Sequence, residues 1–378
     1  MKPLSQAVAS VPASGIRRFF DLVAEMDDVI SLGVGEPDFV TPWRVREAAI
    51  YSLEQGRTTY TSNYGLLELR HEIARMHESR AGVSYDPARE VLITVGVSEA
   101  LDTAFRALLD QGDEVIIPEP CYVSYVPCVA FAGGVPVLVP SRAENGFRVD
   151  PDDVRARVTP RTKAILLAYP SNPTGAVMDR ESLQALVNVA VENDLYIVSD
   201  EIYERLSYDA PHVSVASLPG ARERTVLLNG FSKAYAMTGW RIGYACAPPS
   251  VIEAMMKIHQ YTMLCAPITA QIAALEALKN AESDVVAMVG DYDNRRRLFV
   301  AGLNEIGLDC PLPGGAFYAF PSIKRTGLSA EEFAERLLRE EKVLVVPGDV
   351  FGRSGEGHIR CCYATANSKL IEALHRMA

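Results

Sequence analysis

Polar side chains that could share one binding site follow three short apolar runs in the middle of the chain. The runs are 164–168, 195–198 and 226–228. The side chains that follow them are Asn172, Asp200, Tyr203 and Lys233. In a parallel sheet, ligands bind beyond the carboxyl ends of the strands. If these runs are neighbouring strands about 4.8 Å apart, then an amide, a carboxylate, a phenol and an amine face the same small molecule.

A lysine in such a crevice indicates covalent chemistry. Its ordinary pKa of about 10.4 keeps the amine charged, and deprotonation at pH 7 costs about 4–5 kcal/mol. A Schiff base with an aldehyde is a common use for a lysine placed there, and nearby cationic charge eases it. Arg241 stands eight residues after Lys233, and Asp200 could pair with a protonated pyridine nitrogen. This combination suits pyridoxal phosphate.

A phosphate also needs a binding turn, and residues 94–100 provide a candidate. They read as a strand end, a glycine turn at Gly96 and a helix start, with Ser98 near the N-cap. Free backbone N–H groups and the positive helix end make this an anion site. The chain has no G-x-G-x-x-G and no G-x-x-x-x-G-K-[ST]. Nicotinamide and nucleoside triphosphate binding therefore lose their usual sequence support.

Strands and helices alternate through the middle of the chain. Several of the apolar runs are continuously apolar, which is typical of strands buried on both faces. Helical periodicity lies between them, as in residues 100–110 and in residues 180–193 after the expected N-cap Asp179. This alternation predicts an α/β fold with a mainly parallel sheet. The strands are expected at seven runs: 91–95, 114–117, 136–139, 164–168, 195–198, 226–228 and 242–247.

The C-terminal part follows a different pattern and predicts a smaller α+β domain. Helices are expected at 284–306, 330–340 and 368–377, strands at 316–320, 343–346 and 359–363, and a loop at 349–357. The first 45 residues lack strand–helix alternation and are expected to pack against this domain. The predicted division is therefore 1–45 for an N-terminal segment, 46–283 for a large domain and 284–378 for a small domain.

Composition favours a cytoplasmic enzyme. The 378 residues carry 37 Lys and Arg against 48 Asp and Glu, a net charge of −11, which argues against nucleic-acid binding. No apolar stretch approaches the roughly 18 residues of a membrane helix, and residues 1–15 do not read as a secretory signal. The seven cysteines contain no C-x-x-C pair, and the six histidines show no metal-ligand spacing. We expect reduced thiols and no metal.

Motifs along nearly the whole chain resemble those of the class I/II aminotransferases, which are fold-type I pyridoxal-phosphate enzymes. The most specific motif is the lysine signature Gly230-Phe-Ser-Lys-Ala-Tyr-Ala-Met-Thr-Gly-Trp-Arg-Ile-Gly243. The others occur in the family's order: Leu32-Gly-Val-Gly-Glu-Pro-Asp-Phe39, Tyr60-x4-Gly65, Glu119-Pro-Cys-Tyr122, Asn172-Pro-Thr-Gly175, Asp200-Glu-Ile-Tyr203 and Ile359-Arg-Cys-Cys-Tyr-Ala364. The resemblance implies a large domain with a mainly parallel seven-stranded sheet and a smaller α+β domain.

The resemblance also implies roles around the cofactor ring. Lys233 would bind the aldehyde covalently and later move the proton between the substrate Cα and the cofactor. Asp200 would pair with the pyridinium nitrogen. Tyr203 and Asn172 would hydrogen-bond the phenolic oxygen of the ring. Tyr122 would stack on the ring face.

Further residues would hold the phosphate and the substrate. The phosphate would be held by Arg241, Ser232 and the backbone of Val97 and Ser98. Tyr60 resembles the residue that reaches the phosphate from the neighbouring subunit, which implies a homodimer with its active site at the subunit interface. Arg360 would bind the substrate α-carboxylate as a bidentate fork, assisted by the backbone of Gly35 and by Asn172. The chain departs from many relatives at Gly230, where they carry serine, and at Cys361-Cys362.

The predicted function is aminotransfer in amino-acid metabolism. An L-amino acid would pass its amino group to a 2-oxo acid, with 2-oxoglutarate as the expected acceptor, by a ping-pong mechanism. The donor could be aspartate, an aromatic amino acid or a broad range. One alternative is a C–S lyase of the same family, which would release pyruvate and ammonia without an acceptor. A non-catalytic regulator is a weaker alternative, because no basic cluster precedes residue 31.

Overall fold

A seven-stranded sheet forms the centre of the molecule. The computed structural model describes residues 2–9, 11–12, 15 and 26–378. Its strands are β2 Val91–Thr94, β3 Glu114–Glu119, β4 Val135–Pro140, β5 Thr162–Ala168, β6 Tyr196–Asp200, β7 Thr225–Gly230 and β8 Gly243–Cys246. The strand order is β2-β8-β7-β6-β5-β3-β4, and β8 is antiparallel to both of its neighbours while the other pairs are parallel. The mainly parallel sheet is confirmed.

Helices cover both faces of this sheet, which is why the middle of its strands is largely apolar. On one face Ile165 and Ile197 pack with the helix Arg180–Glu192. On the other face Leu166 and Val198 pack with the helices Gly96–Leu108 and Pro249–Thr262. The helices of this part are Trp43–Glu54, Leu67–Ala81, Gly96–Leu108, Tyr125–Phe131, Pro151–Arg155, Arg180–Glu192, Pro249–Thr262 and Ile268–Asn280. No helix among the described residues combines the length and the apolar character needed to cross a membrane.

The C-terminal part is an α+β arrangement that also takes in the start of the described chain. Strand β1 Ile30–Ser31 pairs in parallel with β10 Val343–Leu344. A second sheet has the antiparallel order β11-β12-β9, with β9 Tyr318–Ala319, β11 Val346–Pro347 and β12 Ile359–Cys362. The helices are Glu282–Glu305, Ala330–Glu341 and Asn367–Met377, and a short helix Gln6–Ala9 lies near the N-terminus.

Three details differ from the sequence expectations. The predicted strand 343–346 is two strands, because the chain leaves the pair with β1 and joins β12 in a different sheet. The predicted loop 349–357 contains two 3₁₀ turns, Gly348–Phe351 and Arg353–Gly355. The helix expected at 100–110 begins at Gly96, so Val95 is the N-cap and Ser98 lies inside the first turn.

Domain boundaries at 45/46 and 283/284 stay a proposal. The pairing of β1 with β10 attaches residues 30–31 to the C-terminal part. The helix Glu282–Glu305 begins next to the second boundary. Residues 1, 10, 13–14 and 16–25 of the N-terminal segment lie outside the described residues.

Candidate active site

A cavity of about 620 Å³ opens at the carboxyl ends of strands β5, β6 and β7. These strands are neighbours in the sheet, so the residues that follow them meet as expected. Of the predicted site residues, eleven line this cavity: Gly35, Val97, Ser98, Tyr122, Asn172, Asp200, Tyr203, Ser232, Lys233, Arg241 and Arg360. Tyr60 does not, and it is 81% exposed.

Lys233 lies in the loop after β7, where its amine points at the chain segment around Gly35. Its Nζ donates a hydrogen bond of 2.7 Å to the carbonyl oxygen of Gly35. Burial lowers the pKa of Lys233 to about 8. Because desolvation favours the neutral amine, the side chain is closer to a nucleophile here than a lysine in water is.

Asp200 is the last residue of β6 and is buried. The hydroxyl of Tyr125 donates to Asp200 Oδ2 at 2.9 Å, and the backbone N–H of Ile202 donates to Oδ1 at 3.2 Å. Burial raises the pKa of Asp200 to about 6, and these hydrogen bonds oppose the rise. A cation placed against this carboxylate would hold it ionised at neutral pH.

Two tyrosines and a glycine form the wall beside Lys233. The hydroxyl groups of Tyr203 and Tyr318 are 2.8 Å apart, and burial raises the pKa of Tyr203 well above its usual range. A Cβ atom at Gly35 would lie 2.2 Å from the Tyr318 hydroxyl oxygen. Only glycine therefore lets this segment approach Lys233.

Arg360 enters the cavity from β12 and is 3% exposed. Its Nη1 donates to Asn172 Oδ1 at 2.9 Å and its Nη2 donates to the carbonyl oxygen of Gly33 at 2.6 Å. Both acceptors are neutral, and no carboxylate among the described residues forms an ion pair with this guanidinium. The positive charge is thus oriented without being neutralised.

The turn after β2 is packed tightly against Arg241. Gly96 has a positive φ of 76°, and a Cβ atom there would lie 2.7 Å from Arg241 Nη2. The Nη1 atom of Arg241 donates to the carbonyl oxygen of Thr238 at 3.0 Å. A guanidinium and the N–H groups of a helix N-terminus therefore meet at one place, which is an arrangement that binds anions.

Gly230 accounts for one departure from the motif. A Cβ atom at Gly230 would lie 3.0 Å from the Cα of Gly243 and 3.2 Å from Val97 Cγ2. A serine here would need its neighbours to move. The other departure is the pair Cys361 and Cys362. Both side chains are buried, and nothing in the site explains why both are cysteine.

Sequence reasoning missed several cavity residues. Tyr125, Tyr318, Gly33 and Glu36 line the cavity without having been predicted. Tyr125 stands three residues after Tyr122, and the two rings make an edge contact with centroids 5.6 Å apart. That short spacing could have pointed to Tyr125, whereas Tyr318 carries no local signal.

Comparison with known proteins identifies the family. The model described as aminotransferase class I and II matches residues 27–377. The chain belongs to the class I and II aminotransferases. This aminotransferase is 47% identical to an aspartate aminotransferase of Pyrococcus abyssi, over 99% of this chain and 97% of that protein. It is 46% identical to aromatic-amino-acid aminotransferase 2 of Thermococcus litoralis, with the same 99% and 97% covered.

A solved structure agrees with these relatives. The structure of aspartate aminotransferase from Thermus thermophilus with maleate matches this aminotransferase with a TM-score of 0.94 and 44% identity, covering 100% of this chain and 99% of that chain. The predicted fold and the predicted aminotransfer from an amino acid to a 2-oxo acid are confirmed. The lyase alternative finds no support among the relatives.

The cavity of this aminotransferase fits the cofactor of its family, pyridoxal phosphate. A buried carboxylate whose pKa is raised to about 6 suits a cationic pyridine nitrogen. A lysine whose pKa is lowered to about 8 suits bonding to an aldehyde. The turn at Gly96 beside Arg241 suits a phosphate. All three lie in one cavity.

Proposed function

We propose that this chain binds pyridoxal phosphate in the cavity described above and is a cytoplasmic homodimer. The observation that carries the proposal is that Lys233, Asp200 and Arg360 line one cavity. Each residue comes from a different element and has a different task. The amine of Lys233 would bond the aldehyde, the buried carboxylate of Asp200 would pair with the pyridine nitrogen, and the guanidinium of Arg360 would bind the substrate carboxylate. The backbone around Gly96 adds a fourth position for an anion.

The cofactor would be held at both ends. Asp200 would pair with the pyridine nitrogen, with Tyr125 holding the carboxylate in place. Tyr203 and Asn172 would hydrogen-bond the phenolic oxygen, and Tyr122 would cover the ring face. The phosphate would be held by Arg241, Ser232 and the backbone N–H groups of Val97 and Ser98.

When bound, pyridoxal phosphate supplies an electron sink for the electron pair left at the substrate Cα after proton removal. Lys233 then acts as the proton carrier at Cα, because its burial favours a neutral amine that can accept a proton. With a pKa of about 8, roughly a tenth of such an amine is neutral at pH 7. Arg360 would hold the α-carboxylate of the substrate in the same cavity as Lys233.

The part of the cavity lining that comes from this chain itself favours an uncharged substrate side chain. The cationic side chains among the described lining residues are Lys233, Arg241 and Arg360, and each already has a task. Glu36 also lines the cavity and would repel a second carboxylate. Without a charge-assisted bond worth about 1.5–3 kcal/mol, an acidic donor loses roughly tenfold or more in kcat/KM.

We therefore expect phenylalanine or tyrosine to exceed aspartate as amino donor by about tenfold or more in kcat/KM. The measurement is the half-reaction of loaded enzyme with each donor in the absence of a 2-oxo acid acceptor. With a cysteine S-conjugate in place of these donors, aminotransfer would stop at one equivalent of 2-oxo acid per site, whereas a C–S lyase would break the C–S bond and continue to release thiol, pyruvate and ammonia. A preference for aspartate would contradict the assignment of the lining, and continued ammonia release would contradict aminotransfer.

The position of Tyr60 supports the homodimer, because its side chain does not reach the cavity of its own chain. It is 81% exposed and lies outside the cavity, and Tyr261 is 87% exposed. We propose that Tyr60 reaches the phosphate in the cavity of a second copy. Most soluble homo-oligomers are symmetric dimers, in which each of the two sites receives the same residue from its partner.

Co-expression of Tyr60→Ala with Lys233→Ala is expected to restore activity. In a mixed dimer one site receives both intact residues, so a statistical mixture regains about a quarter of the wild-type sites. Tyr60→Ala alone should retain roughly a tenth of the wild-type kcat/KM, the loss of one hydrogen bond to an anion. Activity equal to the mean of the two parent dimers would contradict the contribution across the interface.

A further inference from the structure

A buried acid–base pair lies behind the turn at Gly96. Glu99 is in the first turn of the helix Gly96–Leu108, and His259 is in the last turn of the helix Pro249–Thr262. His259 Nδ1 and Glu99 Oε1 are 2.5 Å apart, and His259 is fully buried while Glu99 is 8% exposed. A carboxylate can only accept, so the imidazole Nδ1–H donates. Neither side chain lines the cavity.

The second oxygen of Glu99 holds the start of the turn. Its Oε2 accepts a hydrogen bond of 2.5 Å from the backbone N–H of Val95. Val95 is the N-cap residue, and its side chain cannot cap the helix. The carboxylate thus accepts from the backbone N–H of the N-cap residue from inside the helix, in the manner of the acidic residue of a capping box. The next N–H groups of the turn have no acceptor within the helix.

The negative charge of Glu99 behind the turn weakens the attraction of the turn for an anion. A negative charge beside a helix N-terminus is favourable on its own, but it competes with a phosphate for the same positive helix end. The hydrogen bond from His259 fixes the carboxylate on the far side of the turn and partly offsets its charge. His259 Nε2 is buried without a partner, so this imidazole serves no other contact among the described residues.

We propose that Glu99 and His259 are a positioning pair for the phosphate of the cofactor, holding the turn at residues 95–98 so that the N–H groups of Val97 and Ser98 face the cavity. This inference rests on the proposed function, because it takes that turn as the phosphate site. The pair also joins the turn to the end of the helix Pro249–Thr262, where the His259 carbonyl oxygen accepts from the N–H of Met263 at 2.8 Å.

The test compares a ligand that carries the phosphate with one that lacks it. Dissociation constants of pyridoxal phosphate and of pyridoxal are measured on the cofactor-free full chain. For His259→Phe we expect the dissociation constant of pyridoxal phosphate to rise about tenfold or more. That of pyridoxal should stay within about threefold, since only the phosphate meets the turn.

His77 supplies a matched control. It is also a buried histidine with one side-chain partner, Tyr244 Oη at 3.1 Å from its Nε2, and it does not line the cavity. His77→Phe should leave the ratio of the two dissociation constants unchanged. An equal selective loss in His77→Phe, or an equal loss of both ligands in His259→Phe, would show a general effect on packing and overturn the inference.

A second substitution tests whether the charge of Glu99 causes the loss of pyridoxal phosphate affinity in His259→Phe. Glu99→Gln removes the charge and keeps an acceptor for the Val95 N–H, so Glu99→Gln/His259→Phe should bind pyridoxal phosphate within about threefold of wild type. A double variant weaker than His259→Phe would overturn the inference. If His259→Phe fails to fold, Glu99→Ala should show the selective tenfold loss that Glu99→Gln does not, and equal affinities of these two variants would refute the pair.

The outcomes separate this inference from the proposed function. If wild type does not bind pyridoxal phosphate, the proposed function itself fails. If wild type binds it and His259→Phe binds it with the wild-type ratio to pyridoxal, only the positioning role fails.

Discussion

Lys233→Ala is expected to reduce the rate of aminotransfer by roughly 10⁴-fold or more, because we propose that the same amine both bonds the aldehyde and carries the proton. The half-reaction with phenylalanine, followed by the change in the visible absorption of the loaded enzyme, measures this loss. Asp200 and Arg241 remain in the variant, so it should still bind pyridoxal phosphate without a covalent bond. Borohydride reduction should label a peptide containing residue 233 in wild type and no peptide in the variant.

Lys257→Ala is the matched control. Lys257 lies on the helix Pro249–Thr262 with its side chain 64% exposed, and its Nζ is 3.6 Å from Glu253. Surface pairs of this kind contribute little, so the control should keep wild-type activity and labelling. A borohydride label on any lysine other than residue 233 would refute the assignment, as would a Lys233→Ala variant that turns over at the wild-type rate.

The sheet was predictable because its strands are buried on both faces. Runs such as 164–168 and 195–198 are apolar at every position, and their ends carry the polar residues that a parallel sheet collects at one edge. The antiparallel β8 was not predictable in this way. Its run 242–247 is as apolar as the others, and direction depends on the path of the chain rather than on the composition of the strand.

The candidate site likewise has residues that the sequence predicts and contacts that it does not. Asp200 ends β6 and Lys233 follows the neighbouring β7, so local sequence places them together. Tyr125 reaches Asp200 across 75 positions from a helix, and its hydroxyl contact depends on how that helix packs on the sheet. Tyr318 meets Tyr203 across 115 positions, from the C-terminal sheet. Such contacts arise from tertiary packing, which no local pattern records.

Arg360→Ala is expected to lower kcat/KM for phenylalanine by roughly 10²- to 10³-fold, mainly through KM. The physical reason is that truncating one partner of a buried, hydrogen-bonded charge pair costs about 2–5 kcal/mol. Steady-state kinetics of the loaded enzyme measures it. Arg325→Ala, which removes an exposed arginine of the turn Lys324–Thr326, is the control and should leave kcat/KM unchanged.

An amine without a carboxylate separates recognition from folding. For 2-phenylethylamine, Arg360→Ala should change kcat/KM by less than about threefold, because no carboxylate meets the guanidinium. Arg360→Lys should fall between wild type and Arg360→Ala with phenylalanine, since it keeps a charge but loses the planar fork. Equal losses with both substrates would mean that Arg360 serves mainly to hold Asn172 and the carbonyl of Gly33.

The surroundings of Arg360 favour a role in recognising the substrate carboxylate over a purely structural role. Its two acceptors are neutral, and its guanidinium lies over the ring of Tyr318 with 4.6 Å from Cζ to the ring centroid. A buried cation held only by neutral partners is costly unless an anion completes its shell. We propose that a substrate carboxylate supplies that anion. The guanidinium is already removed from water in the folded protein, so binding of the carboxylate does not have to desolvate it again. We therefore expect selectivity for amino acids over amines, because no carboxylate among the described residues neutralises Arg360.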